Sequence, residues 1–263
     1  MKSMLFAVVA LAAFAAGAQE EKKRTVFPVH PSKMAEFNAK TGGLVEPPAD
    51  IRKVVFLDAR KKDASPLTNL TASAGLHLGL STEVRKVDLK DGECPYGIAK
   101  VAREKGAGAA ILFIERENFP TLSVYPEDAI SVVNVLPLLD ADYPVFRRRL
   151  VKEFWRSLSL TLGGYACGGQ LGSVMQPVFS LAELDEIRGF SIPPPQVGVI
   201  NGTKPKLKLF NPNAVPYSRA CREGWAPAPT NDVQRKIYER FRNPTARFNT
   251  DFPARPKQKP IAK

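Results

Sequence analysis

The sequence predicts an α/β protein: a twisted, mostly parallel sheet with one antiparallel edge strand, helices packed on it, and one long helix after the last strand. Three observations predict it. Between Ile51 and Leu136, short runs of β-forming residues alternate with helix-period segments, the pattern of parallel strands joined by helical crossovers. Ala109–Ile114 is a continuous apolar run, as a strand buried on both faces requires. Two further strand-like runs, Thr121–Tyr125 and Ala129–Leu136, are joined by a turn at Pro126-Glu127-Asp128 and supply the hairpin-like, antiparallel member.

Residues 19–50 are polar, lack a hydrophobic period and end in Pro47-Pro48, so they read as an N-terminal arm. Lys53–Asp58 is short and rich in β-formers, hence a strand. Ser65-Pro66 opens a helix to about Leu78, with Leu67, Leu70, Ala74 and Leu78 on one face. A strand is expected over Glu83–Leu89, where Val87 and Leu89 keep a two-residue period. Gly97–Lys105 is helical and closed by Gly106. The long helix starts at Asp142, a good N-cap, with Pro144 in its first turn. Phe146, Leu150, Val151, Phe154, Leu158 and Leu162 give it a buried face, and Gly163-Gly164 ends it. Positions 156 and 160 lie one turn apart on a neighbouring face. A short helix from Leu181 to Ile187 opens at Ser180. Farther on, Lys206–Phe210 alternates leucine with lysine like an edge strand, and Asp232–Arg242 is a helix capped by Asn231. Trp225 and the Pro227/Pro229 pair suggest a wrap against the body, and Arg255–Lys263 a frayed basic end.

Charge divides the chain. The net charge of +12 is concentrated from Ser191 to Lys263, where 14 lysines and arginines face four acids and 12 of the 23 prolines lie. The body is close to neutral, so the C-terminal stretch is a different kind of segment. At the other end, Lys2, the apolar run Leu5–Ala15 and the small residues Ala16-Gly17-Ala18 have the pattern of a secretory signal cleaved before Gln19. The run is too short to span a membrane, and no Cys follows the cleavage site to carry a lipid. The expectation is an exported chain, periplasmic or extracellular and bacterial, without a transmembrane segment. Its organisation would be a signal at 1–18, an arm at 19–50, a domain at 51–190 and a basic extension at 191–263. Export argues against a nucleic-acid partner. Three cysteines, Cys94, Cys167 and Cys221, form no C-x-x-C, so their spacing shows no structural zinc site.

Arg149–Met175, RLVKEFWRSLSLTLGGYACGGQLGSVM, holds the sharpest pattern. A zincin helix carries H-E-x-x-H, two histidine ligands one turn apart with a glutamate base; metzincins extend it to H-E-x-x-H-x-x-G-x-x-H and a Met-turn. Here Arg156, Ser157, Leu160, Gly163 and Ala166 occupy that frame, and Met175 stands where the Met-turn falls. Arg149, Lys152 and Glu153 form R-x-x-K-E before it, Cys167 follows the last ligand position, and S-V-M closes it. In this order of features the chain resembles the archaemetzincins, a family of metzincin metalloproteases, over roughly Ile51–Gly189. The resemblance implies a metzincin-like domain whose sheet stands above a cleft, with the long helix as the former active-site helix. It also implies a second, structural zinc held by further cysteines. Only Cys167 matches these; Ser173 and the run at Phe190 stand in the other places.

The residues in the frame argue against the family's chemistry. Catalytic zinc needs three ligands from His, Asp, Glu or Cys and an open position. Arg156 is a permanent cation, Leu160 and Ala166 have no donor atoms, and Ser157 cannot serve as the base. No metal or cofactor is expected, and the chain reads as an inactive homologue, a secreted pseudoprotease whose cleft and edge strand hold an extended peptide or protein partner. Two alternatives stand beside it. One is a hydrolase using Ser157 or Cys167, for which only His30 and His77 are available as bases. The other is a carrier domain for residues 191–263, docking on anionic envelope polymers.

Overall fold

The computed structural model describes residues 31–61, 65–140, 142–168 and 172–242. The signal-like segment, His30, Gly169 and the basic end at 255–263 lie outside them. By its contacts the chain divides after Phe37, and everything below belongs to the unit that begins at Asn38. Helix α1, Pro31–Thr41, begins in the first unit. Strand β1, Leu44–Val45, follows it, so regular structure forms in a stretch whose polar, aperiodic sequence reads as an arm.

A five-stranded sheet is mixed but mostly parallel. Its strands are β2 (Val54–Asp58), β3 (Thr82–Lys86), β4 (Ala109–Ile114), β5 (Leu122–Tyr125) and β6 (Ile130–Asn134), in the order β3-β2-β4-β6-β5. β3, β2, β4 and β6 run parallel, and β5 lies antiparallel to β6 at the edge. Every residue of β2, β4 and β6 is buried, the signature of strands covered on both faces. The alternation sorts two cores. Phe56, Ile111, Phe113 and Val133 face helix α2 (Ser65–Leu78) and the long helix α4 (Tyr143–Thr161). Val55, Leu57, Ala110, Leu112 and Val132 face α3 (Pro95–Glu104), which contributes Ala99 and Ala102. Phe154 of α4 stacks on Phe56 with ring centroids 5.2 Å apart, which seats that helix across the sheet.

Three expected elements differ. The strand expected over Ala129–Leu136 spans only Ile130–Asn134, and Leu136–Leu138 turns into a 3-10 helix. β3 starts one residue earlier and ends at Lys86; the Val87 N–H still bonds the Asp58 carbonyl at 3.1 Å, and the side chains of Val87 and Leu89 pack on the α3 side. Lys206–Phe210 forms turns rather than an edge strand: the Leu209 N–H closes on the Lys204 carbonyl at 2.9 Å, and Leu209 presses on Gly108, where a Cβ would meet its Cδ2 at 2.5 Å. The leucines of that run are packing residues, so their alternation with lysine does not report a ladder.

After the sheet come α5 (Leu181–Glu186), α6 (Pro194–Thr203), β7 (Val215–Pro216), α7 (Tyr217–Glu223) and α8 (Asp232–Arg242). β7 pairs antiparallel with β1. Lys204, fully buried, donates to the Leu78 carbonyl at 2.7 Å and to Glu223 at 3.2 Å, and Glu223 also accepts from Arg219 and Trp225. A cation at the C-terminal end of α2 thus fastens residues 194–225 beneath the sheet. Among the described residues no helix is long and apolar enough to cross a membrane.

Candidate functional site

The site is built by α4. Asp142 is its N-cap and Pro144 sits in the first turn. At the other end Gly163 takes φ +86°; its N–H reaches the Leu160 carbonyl and the Gly164 N–H the Ser159 carbonyl, the paired closure of a Schellman motif. Gly164 is also packed too tightly for a side chain, with the Ser159 carbonyl oxygen 2.7 Å from where its Cβ would lie.

Three residues of α4 that precede the frame set its surroundings. Arg149 grips Asp185 at 2.6–3.1 Å and Asp140 at 3.0 Å. Lys152, buried, donates to the Leu184 and Asp185 carbonyls at 2.7 and 3.2 Å. Burial holds its ammonium below the ordinary lysine value. Both cations sit against the last turn of α5, where the helix dipole favours them. They fix α5, and hence the segment leading into it, opposite the sheet edge.

Glu153 and Arg156 face the space between. Glu153 is 1% exposed; its Oε1 accepts from Arg156 Nη1 at 3.2 Å, while its Oε2 has no partner. Burial pushes its carboxyl above the ordinary glutamate value, against the pull of Arg156. Arg156 also reaches the Val178 carbonyl, at a long 3.5 Å. Leu160 stands half-buried one turn on. The spacing 153, 156, 160 keeps all three on one helix face.

This face floors a cleft of about 520 Å³, walled by β5 on one side and by residues 178–184 on the other. The β5 register makes its rim a backbone edge. Thr121 accepts from the Asn134 N–H at 2.8 Å, and the pairing continues Leu122↔Val133, Ser123↔Val132, Val124↔Ser131. In an antiparallel pair hydrogen-bonded residues alternate, so Leu122 and Val124 turn their N–H and C=O groups outward to the free edge. Across the cleft, Phe179 precedes the capping box of Ser180 and Glu183. An apolar residue there commonly packs down on the fourth residue of the helix. Phe179 does not: it is 89% exposed at the cleft rim.

The structure brings Arg156 and Leu160 into this cleft and leaves the other frame positions elsewhere. Ser157 is fully buried with its hydroxyl on the Phe154 carbonyl at 2.9 Å. Ala166 is exposed and does not line the cleft. Met175 is buried under the turn after α4, and its carbonyl accepts from the Cys167 N–H at 2.7 Å. Cys94, Cys167 and Cys221 are free thiols. His77 meets Trp155 edge-on at 6.1 Å, and no described hydrogen bond links it to Ser157 or Cys167. Sequence reading calls for an acid on Arg156 without naming Glu153, although the i, i+3 spacing of opposite charges signals it, and misses Phe179, signalled by its place before S-x-x-E.

The donor set does not fit zinc. A guanidinium and a leucine face the cleft, neither of which can ligate a metal, and the buried carboxylate beside them is engaged by that guanidinium. Among the described residues no group of three His, Cys, Asp or Glu gathers in metal-binding geometry.

No protein-family model and no curated protein matches the chain. Its structural neighbours are archaemetzincins and another zinc-dependent peptidase. The archaemetzincin of Methanopyrus kandleri is 19% identical, with a TM-score of 0.49, covering 60% of this chain and 98% of that one. The archaemetzincin of Archaeoglobus fulgidus, solved with malonate, is 16% identical, with a TM-score of 0.43 over 55% of this chain and 98% of that one. A zinc-dependent peptidase of Methanocorpusculum labreanum is 15% identical, with a TM-score of 0.44 over 56% and 98%.

Proposed function

We propose that this chain is an exported, metzincin-like pseudoprotease, with Met175 in the Met-turn position, that binds an extended peptide in the cleft under β5 and does not cleave it. The observation that supports this most is the combination of an open antiparallel edge with a floor that presents a guanidinium and a leucine rather than a set of metal ligands. Leu122 and Val124 offer outward backbone groups to an added strand, and the floor offers Arg156 and Leu160. The hydrolase reading has less support, since the Ser157 hydroxyl is sealed in α4.

Titration of fluorescent β-prone heptapeptides into the full chain tests it. Micromolar binding without cleavage is expected. Val124→Pro should abolish binding while leaving the fold intact, because it removes an N–H that faces away from β6. Turnover of any peptide, lost in Cys167→Ala or Ser157→Ala, would replace this reading with the hydrolase one.

A further inference from the structure

Arg156 is the cation of the cleft lining, and its guanidinium is underused. Five N–H groups project from it, yet its described contacts are one bond to Glu153 and one long reach to Val178. Among the described residues its Nε–H has no acceptor, and it is not sealed from solvent, since the buried unpartnered atoms there are Ser131 Oγ, Glu153 Oε2 and Ser159 Oγ. The one acid in the lining, Glu153, takes up one N–H of Arg156 through Oε1 and leaves the rest of the guanidinium unmatched. Leu122, Val124, Leu160 and Leu181 make much of the remaining lining aliphatic, with Thr121 and Ser180 beside them. A half-used guanidinium among aliphatic side chains lacks one thing, an anionic acceptor with two oxygens in its plane.

We propose that Arg156 is a carboxylate receptor, and that the peptide held under β5 presents to it either an Asp or Glu side chain or its own C-terminal carboxylate. The inference rests on the peptide-binding reading for its ligand but on Arg156 for its specificity. An ammonium or guanidinium ligand is excluded by repulsion from Arg156. Phe179, projecting from the rim, is placed to cover the chain beside the anchored carboxylate.

The test uses one β-prone peptide sequence in three forms: amidated and neutral, amidated with one central Glu, and neutral with a free C-terminus. Against the full chain, at least one acidic form is expected to bind more than about tenfold tighter than the neutral one, and which one does so identifies the source of the carboxylate. That advantage should vanish in Arg156→Ala and partly survive in Arg156→Lys. Should Arg156→Ala fail to fold, Leu160→Glu gives the same reading, since a carboxylate one turn away occupies the guanidinium in the ligand's place. Equal affinity for all three peptides, with Val124→Pro still abolishing binding, overturns the carboxylate receptor and leaves the peptide groove standing. Absence of peptide binding, with N-acetylglycine still shifting the Arg156 Nε–H resonance, sinks the groove and upholds the receptor. Silence in both overturns both.

Discussion

Replacing Arg156 by alanine strips the buried Glu153 of its one partner, and the cost should depend on pH in a way that identifies the mechanism. Glu153 is held above the ordinary glutamate value by burial, and Arg156 opposes that rise. A carboxyl that titrates higher in the folded than in the unfolded chain contributes stability that is fully present below the unfolded value, near 4.3, and is lost as pH rises toward the folded one. Removing Arg156 raises the folded value further, so the loss grows steeper and extends to higher pH. At about pH 3.5 the carboxyl is protonated in both states, and Arg156→Ala should cost little, since the Val178 contact is long. At pH 7 the cost is bounded by protonating the group against its unfolded tendency. That bound is about 1.4 kcal/mol per unit over roughly 2.7 units, or about 4 kcal/mol. Relaxation and water entry bring the expectation to about 1–3 kcal/mol.

Urea denaturation of the full chain at about pH 3.5 and 7.5 measures this, with Glu153→Gln as the companion. Glutamine accepts from Arg156 through its carbonyl and cannot ionise. In that background Arg156→Ala should cost under about 1 kcal/mol at both pH values, and the double-mutant cycle isolates the pair. An equal cost at both pH values, or the same cost in the Glu153→Gln background as in the unmodified chain, would refute the account of a buried carboxyl governed by Arg156.

Lys204→Met should destabilise the fold by about 2–4 kcal/mol by urea midpoint, because it orphans the Leu78 carbonyl while Glu223 keeps Arg219 and Trp225; a change below about 0.5 kcal/mol would show that residues 194–225 are not fastened through it. Purified protein is expected to carry no stoichiometric zinc after mild dialysis, and one zinc per chain, lost when cleft residues are changed, would contradict the donor set described above. Mass spectrometry of protein from its native host should find a chain starting at or within a residue or two of Gln19, whereas Met1 retained in a cytosolic fraction would contradict export.

What the sequence made legible follows from where local chemistry decides structure. Ala109–Ile114 is apolar at every position and is the buried central strand, because a parallel strand between helices has no solvent face. Ser65–Leu78 and the long helix announce themselves by period, the long helix also by Asp142 and Gly163 at its ends, and the short helix Leu181–Glu186 by its Ser180 cap. The outcome differs where a residue's role is set by partners far along the chain. Lys204 reads as a solvated charge in a basic tract, yet it is fully buried because Leu78, 126 residues away, presents a carbonyl to it. Leu207 and Leu209 alternate like a strand and instead pack a turn against Gly108. In the cleft, the helical period placed positions 156 and 160 on one face, but it could not place β5 opposite them or hold α5 there. That work falls to Arg149 and Lys152, whose partners on α5 lie 32 to 36 residues on. Three residues of R-x-x-K-E thus build the wall and the floor of the cleft through contacts that owe nothing to a metal. The cleft therefore stays open on contacts made by the chain itself, and Arg156, with donors to spare, sets the chemistry of its floor.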